Sequence, residues 1–375
     1  MYALTIKNAR IYNGEKISGN LSDIIVEGGV ISDIVRSENR RCGGIGIDAG
    51  GAVASIGLID LHAHIYPLAE LGVHAESAMF PYGVTSAADA GSAGSETFIS
   101  GYEGLRSCRA GIKCFLNIAA AGLASLRSHP ENVGPETVLI EKIKWLFKQY
   151  HDVLLGIKIR YSLGIVKEGD TGPLQAAAAL ARELGVPLMV HATDPAVPMD
   201  VLCSFLEKGD ILSHAFHNHG RTILDGRGDV TEGVRAAKER GVIFDVGDAG
   251  YHFSADIYRK AAARGILPDI ISGDFTDKGI FKDGAFCLPY VMTKFLHLGM
   301  SPAEVLKRVT VNPAAVAGFP ARLAVGENAD ISLLEVREKS FDLVFDRERL
   351  PASRMFAPLL TVKSGAVVWR SLDFV

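Results

Sequence analysis

The sequence predicts an α/β protein in which a (β/α)8 TIM barrel carries a small β-sandwich domain formed by both chain ends. Eight short apolar runs rich in β-branched residues alternate with helical segments through the middle of the 375-residue chain. The two ends instead contain only short β segments separated by glycine-rich turns. Residues of the types that bind metals follow several of the apolar runs, and the carboxyl ends of the strands are where the active-site residues of a barrel lie.

The two chain ends predict the small domain. Their alternating segments are Leu4–Ile6, Asp23–Glu27, Val30–Val35, Ala329–Leu334, Pro358–Lys363 and Val367–Trp369. No repeat or low-complexity linker separates these ends from the middle. We therefore predict that residues 1–52 plus 326–375 form the β-sandwich domain and that residues 53–325 form the barrel.

The middle of the chain supplies the predicted barrel elements. The predicted strands are Val53–His64, Val84–Gly91, Ile112–Ala119, Leu154–Tyr161, Pro187–Ala192, Ile211–Ala215, Val242–Gly247 and Asp269–Asp274. The predicted helices are Ser95–Ala110, Pro135–Lys148, Gly172–Leu184, Pro198–Glu207, Thr231–Arg240, Ala255–Arg264, Leu288–Leu298 and Ser301–Thr310. An open doubly wound sheet is the alternative, but its first strand would lead into a glycine-rich phosphate turn, and here it ends in HAH.

Composition excludes several classes of protein. The chain is 48% hydrophobic and 22% charged, with a formal net charge of −4 and no basic run, which argues against nucleic-acid and membrane partners. The first residues alternate like a strand and lack the apolar core of a signal peptide. Five scattered cysteines without CxxC spacing (Cys42, Cys108, Cys114, Cys203 and Cys287) predict reduced thiols and a cytoplasmic location.

Potential metal ligands follow five of the predicted strands. His62 and His64 are two residues apart, so both imidazoles share one face at the end of the first strand. The others are Lys158, His191, His214 and Asp274. Each has an ordinary alternative, because a lone histidine is often a surface residue and a terminal aspartate often caps a helix or turn. The convergence of six such residues on one barrel mouth favours a metal site.

Lys158 is the most informative of the six. It lies among Leu154, Leu155, Ile157 and Ile159, and a lysine in such a strand needs a partner because burial lowers its pKa. The alternative is a salt bridge inside the barrel.

The HxH pair followed by strand-borne Lys, His, His and Asp resembles the amidohydrolase superfamily, in particular its binuclear, dihydroorotase-like branch of deacetylases and N-acyl-amino-acid hydrolases. The resemblance covers nearly the whole chain, including Asn312–Leu334. It implies two divalent metal ions, which we expect to be Zn2+. It further implies a CO2-derived carbamate on Lys158 that bridges the ions. His62, His64 and Asp274 would then bind one ion, and His191 and His214 the other.

The same resemblance implies hydrolysis of an amide or ester by a metal-bridging hydroxide, with Asp274 transferring the proton to the leaving group. The expected reaction is deacylation of a small carboxylate-bearing substrate, an N-acyl amino acid or an O-acyl hydroxy acid. The alternatives are a cyclic-amide hydrolase of the dihydroorotase or hydantoinase type, a mononuclear deaminase that uses Asp194, and a non-catalytic scaffold protein.

Four residues are candidates for contact with the substrate. Arg160 shares a strand face with Lys158, so its guanidinium would bind a substrate carboxylate, unless it pairs with a loop carboxylate. Tyr66 stands two residues after HxH, where dihydroorotases typically have arginine, which disfavours pyrimidine-ring hydrolysis. His217 and Cys287 complete the set. The expected partners are a small-molecule substrate and further copies of the chain.

Overall fold

The first part of the chain forms one half of a β domain. The computed structural model describes residues 3–37, 44–124, 130–281 and 285–374. Its first strands are β1 (Leu4–Tyr12), β2 (Ile17–Glu27), β3 (Val30–Arg36), β4 (Ile45–Asp48) and β5 (Val53–Ile56). Strands β1, β2 and β3 pair antiparallel, whereas β4 and β5 both pair parallel with β1.

Seven parallel strands follow, hydrogen-bonded in the order of the chain. They are β6 (Leu58–Ala63), β7 (Val84–Gly94), β8 (Gly111–Asn117), β9 (Leu154–Arg160), β10 (Leu188–His191), β11 (Ile211–Ser213) and β12 (Ile243–Asp245). Helices pack outside them: α1 (Ala75–Met79), α2 (Phe98–Arg106), α3 (Ile140–Gln149), α4 (Gly172–Leu184), α5 (Met199–Ser204), α6 (Glu232–Arg240), α7 (Ala255–Ala262), α8 (Leu288–His297), α9 (Pro302–Arg308) and α10 (Val311–Ala317). Two 3-10 turns lie at Phe80–Tyr82 and Gly279–Phe281. The short helices α1 and α10 were not predicted.

Residues 269–275 close the barrel between β12 and β6. Asp245 bridges Ile270 on one side, and Ala63 bridges Phe275 on the other. The amide of His64 donates to the carbonyl of Phe275 at 2.9 Å. The segment predicted as the eighth strand therefore occupies the eighth barrel position, although it pairs through single bridges because Asp274 leaves the extended conformation (φ 52°).

The end of the chain completes the β domain. Strands β13 (Ile331–Val344), β14 (Arg349–Lys363) and β15 (Ala366–Arg370) extend the first sheet in the order β15-β14-β13-β5-β1-β2-β3. This domain has its own apolar core, which includes Ile6, Ile24 and Leu360. The predicted fold class, a TIM barrel with a β-sandwich domain from both ends, is confirmed. The division at residues 52 and 325 stays a prediction.

The prediction of one strand over Val53–His64 is wrong. Residues 53–56 pair with β1 and β13 in the end domain, whereas residues 58–63 pair with β7 in the barrel. Gly57 separates them, and a Cβ on this glycine would lie 1.9 Å from Oγ1 of Thr85. Only glycine allows this close approach, so the chain changes sheets here.

The barrel interior below the carboxyl ends of the strands is filled with apolar side chains. They belong to one buried cluster that includes Leu61, Phe115, Met189, Ile211 and Ile270. Because these apolar side chains fill the barrel interior, a binding site can form only above them, at the carboxyl ends of the strands.

The cysteines and helices bear on the remaining predictions. Cys108, Cys114, Cys203 and Cys287 are free thiols, and Cys42 lies outside the described residues. Among the helices that the structure describes, none combines the length and apolarity needed to cross a membrane. The cytoplasmic location stays a prediction.

Candidate metal centre

A cavity of about 160 Å³ opens at the carboxyl ends of the barrel strands. His62, His64, Lys158, His191 and Asp274 all line it, as the sequence predicted, and His214 lies beside His191 with ring centroids 4.3 Å apart. A larger groove of about 680 Å³ has Arg182, Asp210 and Asn312 in its wall and contains none of the predicted ligands. The chemistry-bearing residues therefore identify the smaller cavity as the candidate site.

The first ligand group consists of His62, His64 and Asp274. Nε2 of His64 lies 3.1 Å from Oδ1 of Asp274, and Nε2 of His62 lies 3.4 Å from the same oxygen. All three side chains are nearly excluded from solvent. The HxH spacing thus places both imidazoles against the aspartate at the end of the eighth barrel segment.

Hydrogen bonds below the site set the tautomers of these histidines. Nδ1 of His62 lies 3.0 Å from the carboxylate of Asp245, which can only accept. Nδ1 of His64 lies 2.8 Å from Oγ of Ser92, whose own proton is donated to Asp89. Both Nδ1 atoms therefore carry the proton, and both Nε2 lone pairs face Asp274.

This arrangement fits a cation. Two imidazole lone pairs and a carboxylate oxygen converge within hydrogen-bonding distance, and none of the three atoms brings a proton. Acceptors that face one another in a buried site repel unless a positive charge lies between them. A divalent ion bound to His and carboxylate ligands satisfies all three atoms, and the outer hydrogen bonds match those of known metal-binding histidines.

The second ligand group consists of His191, His214 and His252. Nδ1 of His214 donates to the carbonyl of Gly247 at 2.8 Å, and its Nε2 has no hydrogen-bond partner among the described residues. The ring of His252 lies 4.1 Å from that of His214 and 5.1 Å from that of His191. His191 and His214 were predicted to act together, whereas His252 was not predicted.

Lys158 lies between the two groups. Its Nζ is 3.4 Å from Nε2 of His62 and 3.2 Å from Sδ of Met189, and the side chain is buried. Burial lowers the pKa of Lys158 to about 8, against the opposing effect of Asp274 and Asp245. A neutral amine, which such a pKa makes available near neutral pH, is the form that reacts with CO2.

Burial favours, for three histidines of the site, the neutral form that binds metals. Burial lowers the pKa of His62, and it lowers those of His191 and His214 well below the usual value. Burial alone would raise the pKa of Asp274, but the neighbouring His62 and His64 keep it well below its usual range. Burial therefore favours neutral imidazoles at His62, His191 and His214, beside an ionised carboxylate at Asp274.

Two of the candidate ligands adopt unusual backbone conformations. His214 and Asp274 have φ values of 62° and 52°, in the left-handed region that non-glycine residues rarely adopt. Gly247 packs against His214 so closely that a Cβ there would lie 2.5 Å from its Nδ1. Such strain at ligand positions is typical of functional sites.

Arg160 lies at the mouth of the same cavity, with about a third of its side chain exposed. Its Nη1 is 3.5 Å from Oε2 of Glu131, and the other oxygen of Glu131 accepts from Nδ2 of Asn117 at 2.7 Å. Glu131 is buried, so it fixes one edge of the guanidinium while the rest remains available to a ligand. Arg160 thus pairs with a loop carboxylate, which was the predicted alternative to substrate binding, and the partner is Glu131.

The other three substrate-binding candidates are not among the residues that line this cavity. The Tyr66 hydroxyl is buried, donates to the Phe98 carbonyl and accepts from the Gly101 amide. His217 is fully buried, and its Nδ1 accepts from the amide of His219 at 3.1 Å. Cys287 is buried at the start of α8, and burial raises its pKa to about 12. Their positions do not support the predicted contacts.

Sequence reasoning missed four residues around the site. His252 and Glu131 lie in loops, where no periodic pattern indicates which way a side chain points. Asp245 and Ser92 support His62 and His64 from below. Asp245 lies within the predicted seventh strand, Val242–Gly247, and is the last residue of the shorter strand β12; its place near that strand end was the one available signal.

The support of His62 by Asp245 is testable. We expect Asp245→Asn to weaken metal binding by about 10- to 100-fold, because the amide no longer stabilises the Nδ1–H tautomer as a carboxylate does. Competition with a chromophoric chelator measures this change. Asp256→Asn, on the exposed face of α7, is the control and should bind metal like the wild type. Unchanged affinity in Asp245→Asn would contradict the assigned role.

Comparisons with known proteins agree with this geometry. The sequence model of the protein family described as "Amidohydrolase family" matches residues 53–367 of this chain. A curated deacetylase of Agrobacterium fabrum is 30% identical over 358 residues, which cover 93% of this chain and 87% of that protein.

Solved structures are also similar. A crystal structure of a dihydroorotase superimposes with a TM-score of 0.91 at 26% identity and covers 99% of this chain and 98% of that one. A crystal structure of an adenine deaminase has a TM-score of 0.89 at 23% identity and covers 99% and 100%, which shows the shared fold.

Proposed function

The chain belongs to the amidohydrolase family and is a hydrolase of carbon–nitrogen bonds, and we propose that it deacylates a small carboxylate-bearing substrate with two divalent metal ions. The acyl compound would be an N-acyl amino acid or an O-acyl hydroxy acid. The observation that carries this proposal is the convergence of two ligand groups around Lys158, with Arg160 at the mouth of the same cavity.

The geometry supports the proposed ligand sets. His62, His64 and Asp274 would hold one ion, and His191 and His214 the other. The carbamate of Lys158 would bridge them, because a carbamate supplies anionic oxygens where an ammonium supplies none. When bound, the ions would polarise the substrate carbonyl and lower the pKa of a water molecule, and zinc suits this set of ligands.

The side chains of the site have separate tasks in the proposed reaction. Asp274, ionised and directed into the cavity, would accept the proton of the attacking water and deliver it to the leaving nitrogen or oxygen. Asp245 and Ser92 keep the imidazoles of His62 and His64 fixed. The small cavity limits the bulk of the acyl group.

Arg160 would bind the carboxylate of the substrate. Its guanidinium is held on one side by Glu131 and lines the cavity that contains the ligands. A bidentate contact there would place a carbonyl group one or two bonds away within reach of the metal centre.

We expect Arg160→Ala to raise KM for carboxylate-bearing substrates by about 10- to 100-fold, because it removes a charge-assisted contact. Steady-state kinetics on an N-acetyl amino acid and on its methyl ester measure the effect, and the ester should lose far less. An equal increase in KM for both substrates would show that Arg160 does not bind the substrate carboxylate.

The activity itself is tested with a substrate panel. Purified enzyme, reconstituted with Zn2+ and bicarbonate, would be assayed on N-acetyl amino acids and O-acetyl hydroxy acids of both configurations, and on dihydroorotate and adenine. Release of acetate would support the proposal. Turnover of dihydroorotate or adenine without deacylation would overturn it.

Cyclic-amide hydrolysis is the second candidate, favoured by the similarity to a dihydroorotase. Tyr66 stands where that activity typically uses arginine, and its hydroxyl is bound to the backbone of α2. The mononuclear deaminase has less support, because Asp194 does not line the cavity and its carboxylate packs against Gly220.

A further inference from the structure

His252 belongs to the loop that follows β12, and neither the family pattern nor the ligand sets proposed above give it a role. It lines the cavity of the site, and only 13% of its side chain is exposed. Its ligand atom lies within 4.8 Å of those of both His191 and His214. Ligand atoms at this separation need to move by only about 1 Å to reach one ion with metal–nitrogen bonds of about 2 Å.

The hydrogen bonding of His252 repeats that of the other histidines. Nδ1 of His252 lies 2.9 Å from Oγ1 of Thr193, a hydroxyl that can accept its proton. His62, His64 and His214 likewise direct Nδ1 to an oxygen and Nε2 to the cavity. Nε2 of His252 lies 3.8 Å from Oδ2 of Asp274 and therefore faces the same centre.

The loop holds His252 in place. The amide of His252 donates to the carbonyl of Asp248 at 2.8 Å, and Oδ2 of Asp248 pairs with Nζ of Lys294 at 2.6 Å. This ion pair is completely buried, so the turn is anchored to α8. A histidine that is oriented before a ligand arrives is well suited to coordinate one.

We propose that His252 is a third imidazole ligand of the second metal site, together with His191 and His214. This inference depends on the proposed function, because it requires that the centre binds metal. In addition to the bridging ligand, the second site would offer three imidazole nitrogens. The first site offers two imidazole nitrogens and one carboxylate oxygen.

Metal affinity tests the inference without an activity assay. The metal-depleted protein is titrated with Co2+ against a chromophoric chelator, and the visible absorption of bound Co2+ reports its coordination. We expect His252→Gln to bind one of the two ions at least about tenfold more weakly and to change this absorption. The matched control is His151→Gln, an exposed histidine between α3 and β9, and it should match the wild type.

The other outcomes are informative. Two ions bound with wild-type affinity in His252→Gln, together with a higher KM, would overturn the inference and make His252 a substrate contact. A wild type that binds no metal would refute the proposed function and this inference with it. If His252→Gln does not fold, Thr193→Val removes only the hydroxyl at Nδ1 and should weaken the same ion about tenfold. Unchanged affinity in that variant would overturn the inference.

Discussion

Replacement of Lys158 with alanine is expected to lower kcat/KM by about 10³-fold or more, because the proposed carbamate ligand and the electrostatic stabilisation by the second ion would be lost together. Lys158 is buried between the two ligand groups, and alanine offers no atom that reaches either of them. The measurement is steady-state kinetics on the best acyl substrate, with metal content determined on the same samples.

A chemical control separates loss of the carbamate from loss of the fold. Small carboxylic acids such as formate or acetate should bind in the space left by the side chain and restore part of the activity to Lys158→Ala. Lys142→Ala, a substitution on the exposed face of α3, should behave like the wild type. Full activity in Lys158→Ala would contradict the bridged centre.

The pKa of Lys158 adds a pH dependence to this prediction. The pKa of Lys158 is about 8. At pH values below 8, the neutral fraction of the amine therefore increases roughly tenfold for each unit by which the pH rises. Reactivation of the metal-depleted enzyme by Zn2+ and bicarbonate should therefore be faster at pH 8 than at pH 6.5, at equal concentrations of dissolved CO2. A rate that falls as the pH rises would argue against carbamate formation on this lysine.

Substitution of Asp274 with asparagine should have the other large effect. The amide can neither accept a proton nor supply the anionic oxygen that faces His62 and His64, so we expect kcat to fall by about 10²- to 10⁴-fold. Because the pKa of Asp274 is held well below its usual range, the carboxylate stays ionised across pH 5–9, and the loss of kcat should be of similar size throughout that range.

Asp194→Asn is the matched control for this substitution. Both are aspartates at the mouth of the barrel with positive φ, but Asp194 does not line the cavity. We expect this variant to retain wild-type kinetics. If Asp194→Asn is inactive and Asp274→Asn is active, a mononuclear deaminase mechanism replaces the one proposed.

The parts of the site that follow strict geometry were predictable from the sequence. His62 and His64 share a face because strand side chains alternate, and Lys158 and Arg160 reach the same cavity for the same reason. His191 could be placed because it ends a buried parallel strand.

The rest depends on contacts between distant parts of the chain. His252 reaches the site through a turn anchored by Asp248 and Lys294, which are 46 residues apart. Glu131 meets Arg160 across a long loop, and Gly57 divides a strand because of its packing against Thr85. Tyr66 is two residues after the HxH pair, a spacing that predicts a side chain in the cavity. Its hydroxyl instead donates a hydrogen bond to a backbone carbonyl of α2, which the spacing does not reveal.

The central claim is that this site holds two metal ions, and metal content per chain tests it most directly. Plasma emission spectroscopy on the purified wild type, reconstituted with Zn2+ and bicarbonate and freed of excess metal, should give about two equivalents per chain. The two ligand groups around Lys158 predict this value. One equivalent or none would contradict the binuclear centre and the mechanism derived from it.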